Sequence, residues 1–171
     1  EQNISDAQIL SQLAVLNADF RRTNTDQINT PSHFASIAGD AGIEFCIAST
    51  DPEGNLTNGI TRTQTTVSSF SVNNNNIKRP DKGGVTAWDR DQYLNIWVGN
   101  LSDDILGWAT FPGENTSTQY DGVVLHYQTV GAAPFNTNHW QYNKGRTATH
   151  EIGHWLGLQH IWGTGNASCS D

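Results

Sequence analysis

The apolar positions Ile9, Leu13, Leu16 and Phe20, with Leu10 beside them, recur at helical spacing near the start of the chain. They predict a helix that packs one face against something flat. Its beginning is marked too, because Ser5 stands as an N-cap with Gln8 three residues on, the pattern of a capping box, and Ile4 and Ile9 are placed to staple across it. This helix is expected over 6–22. Thr30-Pro31 then reads as an N-cap followed by proline at the first helical position, predicting a short helix through Ile37 that ends near Gly39.

From Ile43 the period changes to two. Ile43-Glu44-Phe45-Cys46-Ile47-Ala48 alternates like a strand with one buried face, and 60–66, 93–98, 106–111 and 123–129 are further strand candidates. The run Tyr93-Leu94-Asn95-Ile96-Trp97-Val98 is apolar nearly throughout, as a central strand covered on both faces would be. Between the second and third candidates, Asn73 to Asn76 and Pro80-Asp81-Lys82-Gly83-Gly84 make a polar, turn-rich stretch, expected to be a solvated connector. With no internal repeat and no linker, the 171 residues are expected to form a single domain.

Composition narrows the partners. The net charge of -8 argues against nucleic acid and against an anionic membrane surface, both of which call for a basic footprint. No stretch approaches the roughly 18–20 continuous apolar residues of a membrane span. Two cysteines, Cys46 and Cys169, do not by spacing alone establish a disulfide. The Asn-X-Ser/Thr triplets at Asn3, Asn55, Asn100, Asn115 and Asn166 are of the kind that so Asn-, Ser- and Thr-rich a chain produces by chance.

The chemistry sits near the end, in His150-Glu151-Ile152-Gly153-His154-Trp155-Leu156-Gly157-Leu158-Gln159-His160. On a helix beginning near Ala148, His150 and His154 stand about 40° apart on one face, a spacing that lets two imidazoles share a metal ion. Glu151 projects about 100° from His150, poised to act on a water at the metal as a general base. A continuing helix would carry His160 roughly 9 Å beyond His154 and about 120° round from it, out of reach of a shared ion. His160 therefore joins the site only if the chain leaves the helix, and Gly157 stands where that break is needed. Three histidines and a water complete an open catalytic zinc site, whereas a purely structural site would be closed by a fourth, commonly cysteine, ligand. His33, His126 and His139 have no partner at ligand spacing and read as structural or surface residues.

The extended zinc motif resembles that of the metzincins, and the residues around it resemble the pappalysin family within them. The likeness runs in order through 43–48, 93–98, Leu106-Gly107-Trp108-Ala109-Thr110-Phe111-Pro112 and Asp121-Gly122-Val123-Val124. It implies a secreted α/β (α+β) zinc endopeptidase acting on protein or peptide substrates. The implied fold is a twisted, mostly parallel sheet with an antiparallel edge strand, a backing helix, and an active-site helix beneath a horizontal cleft. Carried over by position, His150, His154 and His160 bind zinc and Glu151 is the base. Leu106, Gly107, Trp108, Ala109 and Thr110 lie in the edge strand along which a substrate is laid as an added strand. Calcium sites after the zinc motif are a further implication, with Asp171 as the one carboxylate offered. The chain departs from the family in having no methionine for the turn beneath the metal. It also ends soon after His160, and no strand precedes the first helix. It is expected to be an internal piece, mainly the N-terminal subdomain through the zinc motif, with Cys169 paired to a cysteine downstream rather than to Cys46. The competing function is a catalytically inactive zinc-binding fragment that serves as a peptide-binding module.

Overall fold

The computed structural model describes residues 2–114, 117–137 and 141–162. Helix α1, Asp6–Phe20, begins at Ser5, whose side-chain oxygen accepts the Gln8 N–H at 3.2 Å. The capping box closes from this side only. The Gln8 amide donates instead to the Val130 carbonyl, 2.9 Å away, and Gln8 is buried. One turn on, the buried Gln12 accepts from the Gly131 N–H at 2.8 Å and donates to the Gly145 carbonyl at 2.9 Å. The inward face of α1 is therefore centred on Gln8, Gln12 and Leu16, and Leu10 is left exposed. Apolar periodicity overlooks this, because the two glutamines are buried for the loop backbone groups they satisfy. The helix stops two residues short of the expected end, and Arg22 takes a left-handed φ of 48°.

The second expected helix does not form. Residues 31–37 make successive turns, with Phe34 N–H bonded to Pro31 O and Ile37 N–H to Phe34 O, after a 3-10 turn at Thr25–Asn29. Every side chain from 31 to 37 is exposed, so no buried face offsets the cost of nucleating a helix there.

The sheet has three strands: β1, Ile96–Gly99; β2, Gly107–Ala109; and β3, Val123–His126. Their order is β1-β3-β2, with β1 parallel to β3 and β2 antiparallel at the edge. The mixed α/β class and the antiparallel edge strand agree with expectation. The central strand is β3, buried at all four positions, and not the 93–98 run. In that run the ladder is confined to β1, which alternates between exposed and buried residues; the Asn95 carbonyl still accepts the Val123 N–H at 2.9 Å, while the Asn95 side chain bonds the Trp88 N–H and carbonyl. Residues 127–129 curl into a 3-10 turn instead of extending β3. The 43–48 and 60–66 stretches join no ladder among the described residues. Phe45 is nonetheless paired as a strand residue would be, its N–H on Asn17 Oδ1 (2.7 Å) and its carbonyl on Asn17 Nδ2 (3.0 Å).

Apolar groups pack on both faces of β3. On one side Val123 and Leu125 meet Leu16 of α1 and Ala148 and Ile152 of a helix at Arg146–Trp155, and on the other Val124 meets Phe70, Ile77, Trp97 and Leu101. Ile77 belongs to the stretch expected to be a solvated connector, and Lys78 beside it is only 3% exposed. The Lys78 ammonium donates to the Tyr120 carbonyl at 2.6 Å and lies 4.9 Å from the centre of the Trp97 ring. Burial pushes its pKa down to about 8. Between about pH 8 and the ordinary lysine value near 10.5 the unfolded chain therefore holds the extra proton, and stability rises with pH. Lys78→Met is expected to remove on the order of 2 kcal/mol of that rise, as urea unfolding of both chains at pH 7.5 and 10 would measure. No helix among the described residues is long and apolar enough to cross a membrane.

Candidate metal centre

Helix α2, Arg146–Trp155, packs against β2 and β3 on one side and α1 on the other. Its first turn is tied to α1 through Asp19, a 6%-exposed carboxylate that receives Arg146 Nε at 2.9 Å and the Thr149 hydroxyl at 2.6 Å. Its last residue is tied to the sheet: the Trp155 indole N–H donates to Asp121 Oδ1 at 3.0 Å, and Arg90 holds the other oxygen at 3.0 Å. The helix then ends in a Schellman pattern, with Leu158 N–H on the Gly153 carbonyl (2.8 Å), Gly157 N–H on the His154 carbonyl (2.9 Å) and Gly157 at φ 95°. This is the break that the position of Gly157 predicts.

The turn brings His160 back to the helix. The three Nε2 atoms stand 2.9 Å (His150 to His154), 3.1 Å (His150 to His160) and 3.1 Å (His154 to His160) apart. Three nitrogens bound tetrahedrally to one zinc at about 2.1 Å would be roughly 3.4 Å apart, so the donor set fits such an ion with small outward shifts. His154 Nδ1 lies 2.7 Å from the Leu158 carbonyl. A carbonyl only accepts, so Nδ1 carries the proton and the Nε2 lone pair faces the other two rings. Leu158 thus sets the tautomer of His154 through the same turn that brings His160 back. Burial, followed by the charge of His154 and His160, lowers the pKa of His150.

Glu151 is 7% exposed and packed beneath β2, and burial pushes its carboxyl up to about 7. A Cβ on Gly107 would lie 2.9 Å from Glu151 Cγ, 2.8 Å from the Val124 carbonyl oxygen and 3.2 Å from Leu125 Cδ2. The strand can pass this close to Glu151 only without a side chain there. Gly107→Ala is expected to cost about 1–3 kcal/mol by overpacking, read as a lower thermal midpoint.

Of the five residues expected along the substrate strand, Leu106 and Thr110 bond inward, through the Leu106 carbonyl to His126 N–H (2.8 Å) and the Thr110 N–H to the Gly122 carbonyl (3.0 Å). Trp108, paired with Val124, lies between them, so alternation along β2 turns the backbone groups of Gly107 and Ala109 to the open edge. Past the end of β2, the Phe111 ring lies 4.9 Å from that of His154, beside a cavity of ≈ 330 Å³ walled by Phe111, Pro112, Trp155 and Leu156 and by the Arg90–Asp121 pair. His126 is a buried residue at the end of β3, its Nδ1 taking the Gln128 N–H and its Nε2 beside Asn100 Oδ1. His33 lies against Phe34. Cys46 is exposed and has no disulfide partner among the described residues. His139, Asn115, Asn166, Cys169 and Asp171 fall outside the described residues.

A family model described as peptidase M43, pregnancy-associated plasma protein-A, matches residues 78–171. The chain belongs to the M43 peptidase family. Membership bears out the resemblance to the pappalysins. Mature mirolysin of Tannerella forsythia, solved in complex with a cleaved peptide, is 57% identical to this M43 chain and superposes with a TM-score of 0.93. That match covers 98% of this chain and 62% of mirolysin. An extracellular metalloprotease of Verticillium alfalfae is 30% identical over 98% of this chain and 48% of its own length. One from Arthroderma otae is 44% identical over 82 residues, 46% of this chain and 28% of its own. The M43 chain thus spans less than half of these two curated relatives.

Proposed function

We propose that this chain carries the active site of a secreted zinc endopeptidase, which hydrolyses internal peptide bonds with Glu151 as the general base. The observation that carries this reading is the convergence of three histidine Nε2 atoms beside a buried glutamate. Zinc, when bound by His150, His154 and His160, supplies Lewis acidity toward a peptide carbonyl and toward an attacking water. Glu151 accepts the proton of that water as oxygen joins the carbonyl carbon, and returns it to the amine nitrogen as the carbon–nitrogen bond breaks. Its raised pKa suits both tasks near neutral pH. The open-edge N–H and carbonyl groups of Gly107 and Ala109 receive the extended substrate as an added strand. A peptide is bound in the mirolysin structure, and secretion is supported by the extracellular metalloproteases among the relatives.

The test is mass-spectrometric mapping of a peptide library treated with the zinc-loaded chain, the chelated chain and the reloaded chain. Internal cleavages that vanish with chelation and return with zinc are the expected result. A chain that binds zinc and peptides yet makes no cut would instead be a peptide-binding module.

A further inference from the structure

The three histidines are not held alike. His150 and His154 ride on α2, and His154 is fixed again by the Leu158 carbonyl and the Phe111 ring. His160 lies beyond the helix, in a stretch, 156–162, in which every residue is exposed. Such a segment leaves a ligand rotamer to be ordered at the moment of binding, with a loss of affinity. Against this, the Trp162 indole lies nearly parallel to the His160 imidazole, 14° between planes and 4.7 Å between ring centres. Trp162 is 44% exposed and belongs to neither apolar core cluster, so packing in the interior does not account for its position.

We propose that Trp162 is a positioning residue for the third metal ligand, its indole holding the plane of the His160 ring so that Nε2 points to where His150 and His154 converge. The proposal rests on the reading of the three histidines as a zinc site. Losing an outer partner of a metal-ligating histidine weakens metal binding by about 10–100-fold. A stacked ring without a hydrogen bond belongs at the lower end of that range.

The test is zinc affinity, by competition with a chromophoric chelator, for the parent chain, Trp162→Ala and Trp162→Phe, with visible spectra of the cobalt(II)-loaded chains. Trp162→Ala is expected to bind zinc about tenfold more weakly and to shift the cobalt bands. Trp162→Phe keeps a stacking ring and should restore both, while the unfolding midpoint of the metal-free chain stays at the parent's value in each. Parental affinity and spectrum in Trp162→Ala, or an equal loss in Trp162→Phe, overturns the role assigned to the indole. A parent chain that binds no zinc overturns the zinc reading itself, an outcome separate from either of these.

Discussion

Glu151→Gln is expected to lower kcat for peptide hydrolysis by about a hundred- to ten-thousand-fold, the range that a general base contributes, while the chain still binds zinc. The amide is nearly isosteric with the carboxylate, so the close packing under Gly107 and the helical placement of His150 and His154 are retained. What is lost is the ability to take a proton. Steady-state kinetics on a quenched-fluorescence peptide, with zinc content measured in the same preparations, separates loss of the base from loss of the metal. Undiminished kcat in the variant would remove Glu151 from the mechanism.

The second large effect is expected at Gly157. At φ 95° a side chain is strained, at a cost of about 1–3 kcal/mol. The competing conformation, helix continued through 157, carries His160 roughly 9 Å beyond His154. The same change withdraws the Leu158 carbonyl that fixes the tautomer of His154. Gly157→Ala is therefore expected to weaken zinc binding about ten- to a hundredfold, the equivalent of that strain, whereas Gly153→Ala, whose added Cβ would meet only the Leu158 side chain at 3.7 Å, should change it little. Equal affinities in a chelator competition would show that the turn does not set the third ligand.

The site was more legible in the sequence than the fold around it. The histidine spacing and Gly157 follow from helix geometry alone, and the structure places the three rings together as that geometry requires. The edge strand, too, appears where the pattern places it. The 31–37 helix and the 43–48 and 60–66 strands do not form, since propensity and alternation signal what a segment could do and not whether a partner is present. The burial of Gln8 and Gln12 escapes the pattern for another reason: a polar residue on the inward face carries no periodic signal, although both satisfy backbone groups more than 100 residues away in the chain. The closeness of Gly107 to Glu151 and the stack of Trp162 on His160 are likewise invisible to spacing. Each becomes apparent only once the strand lies over the helix or the turn has been made.

X-ray absorption at the zinc edge of the metal-loaded chain tests the central claim most directly. The account predicts three imidazole nitrogens at about 2.1 Å and one further oxygen, the coordination number rising by one oxygen when a bidentate O,O chelator such as a hydroxamate displaces it. A sulfur or a fourth histidine in the shell would mean a closed, structural site, and would contradict it.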